Sequence, residues 1–589
     1  MCGLSGELRF DGEPADAAAV ARMTAVMEPR GPDGCGIWAQ GPAALGHRRL
    51  KVIDLSARAS QPMVDAELGL TCVFNGCLYN YKDLRDTLRA EGYRFFSASD
   101  TEVLVKAYHR WGQRCVDHFK GMFAFAVAER DTGRVTLARD RLGIKPLYIT
   151  RNAARLRFAS TLPALLAGGG VDTRIDRTAL HHYMTFHSVA QPLTILAGVD
   201  KLPPATVRTF EPDGSALDDY VYWRPDFTRR QQLTPAEWTE AVLAGLRAAV
   251  DRRMVADVPV GVLLSGGLDS SLIVALLGEA GQTDLQTFSI GFTAAGGESG
   301  DEFGYSDLVA ERFGTDHHKI RIDDSRLLPA LPGAIAAMSE PMVSHDVVAF
   351  YLLSQEVARH VKVVQSGQGA DEVFAGYHWH PPLAGVPRES ATAAYSTLFF
   401  DRPHDGLADI LCPDYLTPDD VSSAYVRRHF VTPGADTALD AALRLDTGVM
   451  LDDPVKRVDN MTMAWGLEAR TPFLDHDLVE LAASCPPELK LASGGKGVLK
   501  SAARGLVPDE VIDRPKGYFP VPAIRHLRGP YLDMVREALT CPAAKSRGLF
   551  QRSYLEKLLQ APGEYRTTVG ASALWQLALL ELWLQTHGI

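Results

Sequence analysis

The sequence predicts an α/β protein: a layered α/β sandwich in its first third and a doubly wound parallel sheet in the rest. Three observations carry this. The apolar, β-branched run 260–264 ends in Ser265-Gly266-Gly267-Leu268-Asp269-Ser270 and passes directly into an apolar helix from Ser271 to Leu277. Strand-like and helix-like stretches then alternate, the pattern of a parallel sheet covered on both faces. In the first third, residues 122–127 alternate with period two, and Asp131-Thr132-Gly133 turns the chain so that 135–137 pairs back.

A chain of 589 residues should form two to four domains. Its 46% apolar and 23% charged content is that of a soluble globular protein with an ample core. A net charge of −11 argues against nucleic acid or an anionic membrane as partner. The 8 cysteines are scattered rather than paired, as expected for reduced thiols. With no secretory signal and no apolar run of membrane-spanning length, a cytoplasmic location is expected.

The chain opens Met1-Cys2-Gly3. Loss of Met1 would place an α-amine, with a pKa of roughly 7.7–8.0, beside the Cys2 thiol. One residue would then supply both nucleophile and base. Further on come Gly46-His47-Arg48-Arg49, Gln61-Pro62-Met63, Phe74-Asn75-Gly76-Cys77-Leu78-Tyr79-Asn80, Ser97-Ala98-Ser99-Asp100-Thr101-Glu102 and Arg139-Asp140-Arg141-Leu142-Gly143. Together these stretches resemble the glutaminase domain of class II glutamine amidotransferases, an N-terminal nucleophile hydrolase, over about residues 2–205. The resemblance implies an α/β/β/α sandwich in which Cys2 attacks the side-chain amide of glutamine. It also implies that Arg49 grips the substrate carboxylate, that Asn75 and Gly76 form the oxyanion hole, and that Asp100 binds the α-ammonium. Cys77 departs from the pattern. The family usually has glutamate there, a carboxylate that helps bind the glutamine ammonium.

Leu202-Pro203-Pro204 and Glu211-Pro212-Asp213-Gly214 mark a boundary. The expected division is a glutaminase domain at 2–210, a linker at 211–233 and a second domain at 234–589. That domain should open with a helix: Thr234-Pro235-Ala236-Glu237 has capping-box spacing, and Trp238, Val242, Leu246 and Val250 stripe one face.

In the loop after 260–264, two glycines turn backbone N–H groups toward an anion while the new helix presents its positive end. An aspartate in such a loop makes sense if it holds Mg2+, which holds phosphates. No Lys-Ser/Thr pair follows, so the loop is not of the Walker type. Strands are predicted at 287–292, 317–320 and 361–365, the last running into Ser366-Gly367-Gln368-Gly369-Ala370-Asp371-Glu372. Both glycine loops thus leave carboxyl ends of parallel strands, where open α/β sheets place ligands. Asp269 and Asp371 could meet at one Mg2+–pyrophosphate.

The first loop resembles that of the ATP pyrophosphatases, which cleave ATP between its α and β phosphates. The stretches Asp459-Asn460-Met461, 466–476, Lys496-Gly497-Val498-Leu499-Lys500 and Arg514-Pro515-Lys516 extend this to a resemblance to the asparagine synthetase family over about 236–589. That implies ATP at Leu263, Ser265, Gly266, Gly267, Asp269, Ser270, Ile290, Ser366 and Gly367, with pyrophosphate charge on Lys496. It places the acceptor near Gln368, Asp371 and Glu372, and makes ATP and Mg2+ the cofactors. The family usually has glutamate where Gln368 stands, and glutamine cannot ionise.

The overall pattern looks closest to the N-acetylglutaminylglutamine amidotransferase branch, which makes an osmolyte. The expected reaction is therefore ATP-dependent amide formation on a carboxylate acceptor, with glutamine as nitrogen donor. Asparagine formation from aspartate, another acceptor chemistry, and a non-catalytic regulator are the alternatives. An internal route for ammonia is expected between two sites on separate domains. A homodimer is left open.

Overall fold

The computed structural model describes residues 2–589 except 293–299, 345, 516, 518–523, 525 and 568–569, and the side chains of 324 and 449. Twelve strands make up the first part: β1 Gly3–Arg9, β2 Gly34–Gln40, β3 Ala43–Arg49, β4 Met63–Asp65, β5 Leu70–Leu78, β6 Gly121–Glu129, β7 Val135–Arg139, β8 Tyr148–Arg151, β9 Arg155–Ala159, β10 Asp200–Lys201, β11 Thr206–Phe210 and β12 Tyr220–Val221. They form two six-stranded sheets, ordered β10-β8-β9-β1-β3-β2 and β12-β11-β7-β6-β5-β4. Every named pairing within them is antiparallel.

The sheets face each other across a core of Leu4, Leu8, Leu45, Val73, Ala124, Leu137 and Phe158, contributed by alternate residues of both. Helices α1 Ala17–Val26 and α4 Leu162–Gly168 cover the outer face of the first sheet; α2 Tyr81–Ala90 and α3 Asp100–Trp111 cover the second. The result is the α/β/β/α sandwich. The short β12 extends the second sheet from within 211–233, the run read as a linker, by pairing with β11.

Helix α5, Arg177–Phe186, carries the chain toward the C-terminal helix Ala573–Thr586, where the Tyr183 hydroxyl donates to the Gln576 carbonyl at 2.8 Å. Helix α6, Pro235–Arg252, then starts as expected. Thr234 and Glu237 exchange capping bonds, and Trp238, Val242, Leu246 and Val250 are buried.

Five strands follow: β13 Val260–Leu263, β14 Gln286–Phe292, β15 Asp316–Ile322, β16 Val363–Gln365 and β17 Glu468–Arg470. They form one sheet, ordered β15-β14-β13-β16-β17, with all pairings parallel. The strand order reverses at β13, the switch point at which such sheets open a crevice. Helix α7, Leu268–Glu279, leaves the carboxyl end of β13. No helix among the described residues is long and apolar enough to cross a membrane.

The two halves share one apolar core running from Leu50, Tyr79 and Ile144 to Val250, Phe473 and Leu474. Buried ion pairs lock them in register. Asp459 accepts from Arg30 at 2.8 Å and Lys145 at 3.2 Å; Lys201 lies 3.1 Å from Glu340 and 3.0 Å from Asp452. Breaking one such buried pair costs roughly 3–5 kcal/mol, because the remaining partner keeps an uncompensated charge.

Candidate functional site

The first cluster lies at the carboxyl ends of β3 and β5. Cys2 is 6% exposed, and its backbone N–H donates to Asn75 Oδ1 at 3.0 Å. Burial pushes its thiol pKa above the ordinary value, an effect that Arg49 opposes. Asn75, on β5, is fully buried, and its Nδ2 reaches Ser160 Oγ at 3.4 Å. Gly76 is glycine for want of space: a Cβ there would lie 2.2 Å from the Met122 carbonyl oxygen on β6. Arg49 ends β3, and the 53–56 turn folds back so that the Asp54 and Ser56 carbonyls accept from its guanidinium, the latter at 2.8 Å. This aims a fixed cation into the cavity.

Asp100 stands in the first turn of α3, behind the Ser99 cap, and accepts from the Leu78 N–H at 3.1 Å. Burial, with the nearby charge of Glu468, pushes its pKa up to about 6. One cavity is lined by Cys2, Arg49, Gly76, Asp100 and, from the other half of the molecule, Glu468. Cys77 is buried there too, its thiol held neutral by burial, with Sγ 3.8 Å from Arg470 Nη2.

The second cluster sits at the switch point. Its two glycine loops leave β13 and β16, which are hydrogen-bonded neighbours. The first loop is knitted by its own serines: Ser265 N–H donates to Ser270 Oγ at 3.2 Å, and Gly267 N–H to Ser265 Oγ at 3.3 Å. The Gly266 carbonyl accepts from Arg514 Nη1 at 2.9 Å. Gly367 lets the second loop approach the first, since a Cβ there would lie 2.9 Å from the Cβ of Asp269.

Lys496 joins both loops. Its Nζ lies 2.7 Å from Asp269 and 2.8 Å from Asp371. Burial works against the ammonium, but the two carboxylates outweigh it and raise the lysine pKa. Lys496 adopts φ +56°, a left-handed conformation costing a side-chain-bearing residue roughly 1–2 kcal/mol. Packing against the Phe374 carbonyl, which accepts its N–H at 3.1 Å, holds it there. Two hard oxygen donors converging on one cationic point fit Mg2+ ligation.

Leu263 and Ile290 are buried behind the loops, and Ser366 N–H donates to the Arg470 carbonyl at 2.8 Å. Gln368 is half-buried in the second loop. Glu372 is buried and accepts from the Tyr377 hydroxyl at 2.6 Å. Lys516, in the stretch after Arg514, lies outside the described residues.

Comparison with known proteins gives this arrangement its context. Residues 241–585, more than half of the chain, match the asparagine synthase family model. The chain belongs to the asparagine synthase family. Residues 1–223 match the glutamine amidotransferase domain, and the chain is accordingly an ATP-dependent ligase of the amidotransferase type.

Among its relatives, asparagine synthetase [glutamine-hydrolyzing] 3 of Bacillus subtilis (strain 168) is 32% identical over all of this chain and 99% of its own length. Asparagine synthetase [glutamine-hydrolyzing] 1 of the same strain is 30% identical over 99% of this chain and 96% of its own. A putative asparagine synthetase [glutamine-hydrolyzing] of Mycobacterium tuberculosis (strain ATCC 25618 / H37Rv) is 32% identical over 89% of this chain and 88% of its own.

Several site neighbours of this asparagine synthase-family chain were not singled out by sequence reasoning. Ser160 and the carbonyls that hold Arg49 are examples, and so are the direct roles of Glu468 and Arg470 at the first cavity. The 466–476 stretch was recognisable as a motif. Nothing local in it says which domain its side chains face.

Proposed function

We propose that the chain is a two-site amidotransferase that hydrolyses glutamine at Cys2 and amidates N-acetylglutaminylglutamine, for osmolyte synthesis, at the switch-point loops. At the first site, once Met1 is removed, the Cys2 α-amine takes the thiol proton and the thiolate attacks the glutamine carboxamide. Asn75 Nδ2 and the Gly76 N–H stabilise the oxyanion, ammonia leaves, and water releases glutamate from the thioester. Arg49 binds the substrate carboxylate and Asp100 its ammonium.

At the second site the acceptor carboxylate attacks the α-phosphorus of ATP and pyrophosphate departs. Ammonia then displaces AMP from the acyl carbon. Asp269 and Asp371 would hold Mg2+, which when bound neutralises phosphate charge. Lys496 adds a fixed positive charge for the pyrophosphate. The loop residues Ser265, Gly266, Gly267 and Ser270 cradle phosphate, Leu263 and Ile290 border adenine, and Ser366 and Gly367 border ribose and phosphate. Gln368, with Asp371 and Glu372, borders the acceptor.

The observation that carries the acceptor assignment is Gln368. A neutral amide with donor and acceptor atoms suits a bulky, amide-bearing substrate better than a small dianion. Aspartate is the second reading, favoured by the relatives' printed names. With ATP and glutamine supplied, kcat/KM for N-acetylglutaminylglutamine is expected to exceed that for aspartate, and Gln368→Glu should narrow the gap. Efficient asparagine formation with no turnover of the dipeptide defeats this assignment.

The Asp100 pKa of about 6 sets a second expectation. Its raised pKa means that the carboxylate needed for ammonium binding is lost as pH falls through about 6, where an ordinary aspartate would stay charged. KM for glutamine should therefore climb below that pH, and Asp100→Asn should flatten the profile. A KM that stays constant from pH 7 to 5 in the native enzyme removes Asp100 from the ammonium site.

A further inference from the structure

Strand β17 is three residues long, and its side chains alternate. Ala469 points into the apolar core that packs Leu467 and Val364. Glu468 and Arg470, two apart, share the opposite face and meet the first half of the molecule. Both are essentially unexposed, at 1% and 0%. Arg470 is anchored where it stands: Nη1 donates to the Arg253 and Val255 carbonyls at 2.7 and 2.8 Å. From there its Nε donates to Glu468 Oε1 at 2.6 Å, which sets the direction of the glutamate. The carboxylate so held forms part of the wall of the Cys2 cavity.

That cavity has the polarity of an amino-acid zwitterion. A fixed guanidinium, Arg49, faces it from one element, and two carboxylates, Asp100 and Glu468, face it from two others. Glu468 already has a counter-charge in Arg470, and Asp100 accepts from the Leu78 N–H and the Ser99 hydroxyl. An ammonium entering beside the two carboxylates therefore adds a counter-charge that both can share. At position 77, where a carboxylate would complete such a pair within the domain itself, there is a neutral buried thiol. Its neighbour across the interface is Arg470, and among the described residues lining the cavity the acidic groups are Asp100 and, from β17, Glu468.

We propose that Glu468, reaching in from the parallel-sheet half, takes the part of the carboxylate missing at Cys77 and binds the α-ammonium of glutamine together with Asp100. The proposal rests on the glutaminase reading of the Cys2 cavity. It makes glutamine recognition a property of both halves of the chain. Strand β17 pairs with β16, whose end leads into the Gln368 loop, and Ser366 N–H donates to the Arg470 carbonyl. The strand that meets the glutamine therefore lies beside the one that carries the acceptor loop.

The test compares glutamine with 4-carbamoylbutanoate, the same molecule without its ammonium group, by ammonia release from the full-length enzyme. Glu468→Gln keeps the size and removes the charge. The glutamine to 4-carbamoylbutanoate ratio of kcat/KM is expected to fall roughly 10- to 100-fold, mainly through KM for glutamine, as for loss of one hydrogen bond to a charged group. Adding Cys77→Glu to that variant should recover part of the ratio. If Glu468→Gln does not fold, Glu468→Asp carries the same comparison by withdrawing the charge by one methylene. Equal loss on both substrates, or an unchanged ratio, overturns the proposal and leaves the glutaminase reading standing. A native enzyme that releases no ammonia from glutamine overturns the glutaminase reading itself, and this proposal with it.

Discussion

Cys2→Ala is expected to reduce glutamine-driven amide synthesis by on the order of 10^4-fold or more, the scale seen when a covalent nucleophile is removed. Synthesis from high concentrations of ammonium salt should continue. The reason is spatial as well as chemical. Cys2 touches Asn75 and the cavity shared with Arg49 and Asp100, whereas the switch-point loops are held by Ser265, Ser270 and Lys496. Removing one sulfur disturbs none of those bonds. Retention of Met1 should mimic the substitution, because an amide nitrogen cannot take the thiol proton. Parallel measurement of product from glutamine and from ammonium decides it: equal loss from both nitrogen sources would sink the assignment of Cys2 as nucleophile.

The second large effect is expected at the paired aspartates. Asp269→Asn and Asp371→Asn should each slow exchange of labelled pyrophosphate into ATP, by on the order of 10^2- to 10^3-fold, while glutamine hydrolysis persists. Both changes preserve shape and remove one charge from the point where the carboxylates meet Lys496. Each variant leaves the lysine with one counter-charge where it had two, and any divalent cation with one hard ligand fewer. Near-normal exchange in either variant would remove that residue from the nucleotide site.

What could be read from the sequence was what is local. The Thr234–Glu237 cap, the helical stripe of Trp238 and Val242, and the strand–glycine loop–helix at 260–279 each lie within a few residues of one another. Their periodicity follows from backbone geometry alone. The two aspartate loops were legible for the same reason, with the parallel sheet supplying the rule that brings them together. Strand β17 left no such trace. Three residues are too few to show a period, and Glu468-Ala469-Arg470 was legible as part of the 466–476 motif but not as a strand. Its partners, Arg253 and Cys77, are more than 200 residues away in sequence. The buried pairs of Lys201 with Asp452 and Arg30 with Asp459 escaped notice likewise. An ion pair spanning 251 or 429 residues has no sequence signature of its own.

The place of Glu468 in the wall of the Cys2 cavity also bears on the order of events at the ribosome. Every other residue named in that wall is made within the first 101 positions, yet the last piece comes only when synthesis has reached β17. At roughly 5–20 residues per second, the emerging sandwich waits on the order of half a minute with one side of its pocket unbuilt. A nascent or truncated chain therefore carries the nucleophile without the finished pocket, and the complete cavity lining exists only once the half that would consume its ammonia has been made.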